Sequence, residues 1–185
     1  MFNVEDVKRL VDCASRALKA ENRYLEGCFK ARGWLDSEAG PGICENVNER
    51  YHQYVIWREL IRSFPWRART ERGRYDLAFY DGAESEPIAY AEIKGWWSDS
   101  GEPELPGIMQ DMKGKLGIAP VPGVMLILTR HLAEDAEENF RWLAGKLGVD
   151  RGVLVTKSFP VSPGPGDEGD WEFAVIGIPV TPAAS

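Results

Sequence analysis

The stretch YDLAFYDG (75–82), followed after a short loop by IAYAEIKGW (88–96), decides the reading of this chain. Both halves alternate. In the first, Leu77 and Phe79 point one way, and Asp76, Ala78 and Tyr80 the other. In the second, Ala91 and Ile93 oppose Ile88, Tyr90, Glu92 and Lys94, because side chains along a strand repeat every two residues. Folding the pair as a hairpin about Glu84 sets Tyr80 against Ile88, Ala78 against Tyr90 and Asp76 against Glu92, with Lys94 one step along the same face. This register assumes that the loop Asp81–Pro87 carries no bulge. Opposed side chains have Cβ atoms about 4.5–5.5 Å apart, and like charges so placed destabilise a sheet. A metal ion, a proton or an arginine would compensate. Two close carboxylates suit a hard divalent cation, and a lysine beside it steadies an attacking water or a developing negative charge.

Helices and strands surround this hairpin. Val4, Val7, Leu10, Val11, Ala14 and Leu18 form a helical stripe that predicts a helix from residue 4 towards 30. SEAGPGICENVN (37–48) reads as a loop broken by Gly40-Pro41-Gly42, and Asn46 or Asn48 can cap the next helix, 47–63. There Glu49, Gln53, Ile56 and Leu60 share a face. Strands are expected near 67–80 and 88–97, a helix near 104–116 opened by Pro106, and a strand at 123–129, whose GVMLILT suits burial on both faces. A helix over 132–147 and strands at 152–158 and 171–180 complete the chain, with SPGPGDEGD (162–170) as a flexible loop.

Asp76 followed by Glu92-Ile93-Lys94 resembles the D…(D/E)xK signature of the PD-(D/E)xK nuclease superfamily, with Tyr75 where that pattern often has proline. The resemblance covers residues 45–130 and implies a restriction-endonuclease-like α/β fold. Its mixed sheet is flanked by helices, in the core order helix, three strands, helix, strand. Here an N-terminal helix and a C-terminal helix–strand–strand extension are added, in a single domain over 1–185. It further implies that Asp76, Glu92 and the backbone carbonyl of Ile93 bind Mg²⁺ or Mn²⁺, that Lys94 is the catalytic amine, and that the products carry a 5′-phosphate. Such folds often place an acid from the first core helix near the metal, here Glu49, although a first-turn glutamate also serves the helix dipole. They also take a polar residue from the helix after the lysine, here Gln110 or Lys113 as secondary candidates, with a solvated helix face as the simpler reading of each.

The net charge of −7 sits awkwardly with a nucleic-acid substrate, whose backbone is bound by Lys and Arg. The segment 58–74 runs against it, carrying Arg58, Arg62, Arg67, Arg69, Arg72 and Arg74 among Trp57, Phe64 and Trp66. Arg67, Arg69, Arg72 and Arg74 read as a nucleic-acid-binding approach to Asp76, or as a charged edge strand. Trp96 and Trp97 stack on a base or cover the sheet. His52 and His131 read as surface or cap residues. Cys13, Cys28 and Cys44 lack metal-site spacing, and with no apolar signal core at MFNVEDVKRLVDC (1–13) a reducing cytoplasm is expected. No apolar run is long enough for a membrane span. P-loop, GxGxxG and GxSxG patterns do not occur.

The function expected is therefore hydrolysis of nucleic-acid phosphodiesters with Mg²⁺ or Mn²⁺, DNA ahead of RNA. The alternative is an inactive nuclease-like domain of the immunity or antitoxin type that binds a protein, favoured by the acid run Glu134, Asp135, Glu137 and Glu138. A homodimer is compatible with either.

Overall fold

The computed structural model describes residues 2–32, 48–82, 86–162 and 168–182, with the backbone alone at Glu71 and Arg72. Cys44, Gly40-Pro41-Gly42, Asn46, Glu84, the Arg72 side chain and residues 163–167 of the Pro/Gly loop lie outside the described residues.

Two long helices, α1 (Val4–Arg32) and α2 (Glu49–Ser63), precede the strands β1 (Arg67–Arg72), β2 (Tyr75–Tyr80) and β3 (Ala89–Trp96). Then come α3 (Leu105–Met109), β4 (Gly123–Leu132), α4 (Ala136–Leu147), β5 (Val155–Val161) and β6 (Trp171–Val180). The six strands form one mixed sheet in the order β1-β2-β3-β4-β6-β5, with β3 and β4 parallel and the other neighbours antiparallel. The chain is thus a mixed α/β protein whose sheet is flanked by helices. Over 45–130 the order is α2, β1, β2, β3, α3, β4.

Two apolar layers hold the sheet. On one side α1 and α2 bury Val7, Leu10, Val11, Leu18, Val55 and Ile56 against Leu77, Phe79, Ile93, Leu126 and Val175. On the other, Ile108, Met112, Leu116, Phe140 and Leu143 cover Met125, Ile127, Ala174 and Ile176. Val124 to Leu128 have no exposed surface, as a central strand covered on both faces requires. Asn48 caps α2 by accepting the Tyr51 N–H at 3.0 Å.

α1 comes so close to β6 that a Cβ added at Gly177 would lie 2.4 Å from a Val11 methyl carbon. Gly177→Ala is therefore expected to lower stability by about 1–3 kcal/mol through overpacking. Urea denaturation checks this, and Val11→Ala in the same chain should recover part of the loss.

Several boundaries differ from expectation. The strand expected over 67–80 is a hairpin of two, because Gly73 turns the chain with a φ of 68°. The helix expected over 104–116 is regular only to Met109; Gln110–Lys115 widens into a π-helical turn and Leu116–Ile118 tightens into a 3₁₀ turn. β4 runs three residues beyond Thr129, so the following helix starts at Ala136 after a 3₁₀ turn, and the strand expected at 152–158 lies at Val155–Val161. No helix among the described residues is long and apolar enough to cross a membrane.

Candidate active site

β2 and β3 pair Phe79 with Ala89, Ala78 with Tyr90 and Leu77 with Ala91. That is the register expected from alternation, and one further step sets Asp76 opposite Glu92. The ladder stops at Leu77, however, and carboxylates take over as partners of β3. The Ile93 N–H donates to Asp76 Oδ2 at 2.8 Å, and the Gly95 N–H donates to Glu49 Oε2 at 3.1 Å. Gln53 Nε2 in turn donates to the Asp76 backbone carbonyl at 3.0 Å. A residue in an antiparallel ladder turns its N–H and C=O to the same neighbour. The Ile93 carbonyl therefore faces the same gap as the Asp76 side chain.

Glu92 follows Ala91, the last residue of β3 paired with β2, and has 1% of its surface exposed. Its Oε2 accepts from Lys115 Nζ at 3.1 Å, while Oε1 is buried with no hydrogen-bond partner among the described residues. Burial pushes the Glu92 carboxyl up to about 7; Asp76 adds to the shift and Lys115 opposes it. Asp111 bridges the two lysines, with Oδ2 3.0 Å from Lys94 Nζ and Oδ1 2.8 Å from Lys115 Nζ. Burial opposes ionisation of Asp111, but Lys115 and Lys94 outweigh it and hold the carboxyl below its ordinary value. Burial likewise works against the Lys94 ammonium, yet Asp111 and then Glu49 raise its pKa, so it stays charged at neutral pH.

The structure thus brings Asp76, Glu92, Lys94 and Glu49 into one cluster. Glu49 was assigned to the helix dipole or to the site, and its hydrogen bond to Gly95 ties it to the site. Gln110 and Lys113 are corrected: both are exposed and have no part in the cluster. Asp111 and Lys115 take that role, because the π-helical turn rotates them towards β3. Their signal in the sequence was an acid and a lysine four apart beside the apolar stripe Ile108, Met112, Leu116.

Arg67 and Arg69 stand opposite Tyr80 and Ala78, and Ala78 opposite Tyr90, so both arginines share the sheet face of Glu92 and Lys94. Arg69 lies over the Tyr80 ring at 5.0 Å, and Arg74 over Tyr75 at 5.4 Å. The histidines are not surface groups. His52 is buried between Trp97 and Phe173, and His131 lies inside β4 with 5% exposed. Trp96 is buried, whereas Trp97 is part exposed and folds over Gly95.

Four carboxylates, of Asp76, Glu92, Asp111 and Glu49, face the two ammonium groups of Lys94 and Lys115. Fully ionised, the cluster carries two surplus negative charges, the charge a divalent cation would neutralise. Among the described residues no group of three or more His, Cys, Asp and Glu side chains is placed to hold a metal. Mg²⁺ does not need one, since it keeps several waters and takes one or two carboxylates. The orphaned Glu92 Oε1, the neighbouring Asp76 carboxylate and the Ile93 carbonyl are hard oxygen donors, and they fit Mg²⁺ or Mn²⁺. In comparisons with known proteins the chain matches no family model, no curated protein and no solved structure.

Proposed function

We propose that this chain is a metal-dependent phosphodiesterase of nucleic acid, with DNA ahead of RNA, built on a restriction-endonuclease-like core of the PD-(D/E)xK kind. The observation that carries this reading is the buried, unpartnered Glu92 Oε1 beside Asp76, where β2 parts from β3. A carboxylate oxygen in that position costs stability unless a ligand takes it up.

Asp76, Glu92 and the Ile93 carbonyl would hold Mg²⁺ or Mn²⁺. The cation supplies a Lewis acid that lowers the pKa of water and polarises a phosphoryl oxygen. Lys94 spends one donor on Asp111 and is 29% exposed, which leaves N–H groups for the attacking water or for charge gathering on phosphorus. Asp111 acts through Lys94 and Lys115 as a positioning residue. Arg67, Arg69 and Arg74 border the same face and oppose the overall acidity where the phosphate backbone would lie.

A second reading is favoured by one feature: Lys94, Asp111, Lys115 and Glu92 form a continuous chain of ion pairs. On that reading the site is idle and the exposed acids Glu134, Asp135, Glu137 and Glu138 of α4 and the turn before it face a protein partner.

Wild type and Lys94→Ala, incubated with linear, circular and single-stranded DNA and with RNA in Mn²⁺, separate the two. The enzyme reading expects cleavage that falls about 100–1,000-fold in the variant, as for loss of one charge-stabilising donor. It also expects Mg²⁺ at 100 times its Kd to stabilise the protein by about 2.7 kcal/mol. If wild type cuts nothing and its melting temperature ignores both cations, the proposal fails.

A further inference from the structure

β3 and β4 run parallel, and β3 leaves the sheet at Trp96, opposite Thr129. β4 continues through Arg130, His131 and Leu132, paired there with β6 alone. Beside the position that β3 vacates is an open cavity of about 530 Å³, lined by Trp96, Trp97 and Trp171 and by Asp135 and Asn139 near the start of α4. Crevices at the carboxyl ends of parallel strands are habitual ligand sites, and this volume suits a small flat molecule.

His131 lines this space. It is 5% exposed, and neither of its ring nitrogens has a hydrogen-bond partner among the described residues. Its ring stands edge-on to Phe140 at 5.2 Å, which fixes the plane. Burial holds the imidazole below its ordinary pKa, against the pull of Glu172 and Asp135, so it is neutral and offers one donor and one acceptor. Asp135 is also unspent, making no side-chain cap to α4.

On the nuclease reading above, we propose that this cavity takes one unstacked nucleobase bearing an exocyclic amine, from the nucleotide beside the cleaved bond. Each element of the cavity has a use in that assignment. The part-exposed Trp97 indole meets a face of the base. One ring nitrogen of His131 pairs with a group on its edge, and Asp135 and Asn139 accept from the amine. Asp99 and Asp135 would repel a phosphate, so the backbone stays outside. A small cation would waste the His131 donor, and Arg130 already covers Trp171 at 4.9 Å. Trp96 is two residues beyond Lys94 on the same face of β3, roughly 6.5 Å along the strand. A base flanking the phosphate at Lys94 can reach it.

Adenosine, cytidine, guanosine and thymidine, titrated against the metal-free protein with tryptophan emission and calorimetry as readouts, test the pocket without any cleavage. The amine-bearing nucleosides should bind saturably and thymidine about 10-fold more weakly. His131→Leu should lose at least about 10-fold in affinity, since one side of the base edge goes unpaired. Asp135→Asn, at an exposed position that spares the core, should relax the preference over thymidine. In cleavage, an abasic site beside the cut should raise KM for wild type with little change in kcat, and leave His131→Leu unaffected. Absence of saturable nucleoside binding, or equal binding of thymidine, overturns the proposal. Tighter binding of an arginine-rich peptide than of any nucleoside overturns it in favour of a protein partner. Nucleoside binding by a protein that cleaves no nucleic acid keeps the pocket and removes the nuclease reading; cleavage indifferent to the abasic site, with no nucleoside bound, does the reverse.

Discussion

Glu92→Gln is expected to abolish metal-dependent cleavage and, at the same time, to raise the thermal stability of the metal-free protein above pH 7. The two effects have one cause. The Glu92 carboxyl is pushed from 4.5 to about 7, by burial first and by Asp76 second, against the pull of Lys115. Its folded pKa is above its unfolded one, so its contribution to stability is complete below about pH 4.5 and is lost as pH rises through about 7. At 1.36 kcal/mol per unit, the ionised form costs the metal-free fold about 3 kcal/mol at pH 8. Glutamine has the same shape, still accepts from Lys115 and cannot ionise. The gap between the wild-type and variant melting curves in EDTA should therefore open as pH rises from about 4.5 through about 7, with the two converging below about pH 4.5. Adding Mg²⁺ should restore the wild type and leave the variant unmoved. Cleavage should drop more than about 100-fold, beyond what loss of a mere supporting hydrogen bond to a ligand costs. Parallel pH curves for the two proteins would show that Glu92 is not a strained, charge-bearing ligand.

The hairpin could be read from the sequence because its information is local. Alternation assigns the faces of 75–80 and 88–96, and the loop length sets Ala78 against Tyr90, as found. The buried run of β4 and the stripe of α1 are legible on the same grounds. What stayed hidden depends on tertiary context. Arg130 and His131 look polar enough to end a strand, but pairing with β6 carries β4 on, and Phe140 of α4 covers His131. A regular 3.6-residue helix makes Gln110 and Lys113 the secondary candidates, whereas the π-helical turn changes which side chains face the sheet. Glu49 and Gln53 reveal their role only once β2 has parted from β3 and left backbone groups in need of partners. The same parting creates the site, so the residues hardest to read are the ones that make the hairpin chemically useful.

Asp111→Ala is expected to be a severe single change at the site, and its effects should separate positioning from catalysis. The carboxylate is 5% exposed and lies 2.8 Å from Lys115 and 3.0 Å from Lys94. Removing it leaves two ammonium groups facing each other with one shared anion gone. Breaking a buried pair costs about 3–5 kcal/mol, but the lysine side chains are 29% and 31% exposed. Solvent screening reduces the cost to about 2–3 kcal/mol. The sign with pH follows from the lowered carboxyl of Asp111, with burial opposing and Lys115 and Lys94 prevailing. Its contribution is present above the unfolded value of 3.8 and is lost as pH falls through the folded value, so wild type and variant should converge in acid. Asp111→Asn, which keeps one acceptor, should recover part of the stability. Cleavage by Asp111→Ala, measured where the variant is folded, should fall because Lys94 is no longer held against the gap. Adding Lys94→Ala to it should then cost far less than Lys94→Ala costs alone, since the second change removes a group already misplaced. Full additivity of the two losses would mean that Asp111 holds up the fold without aiming the amine, and Lys94 would then need another anchor.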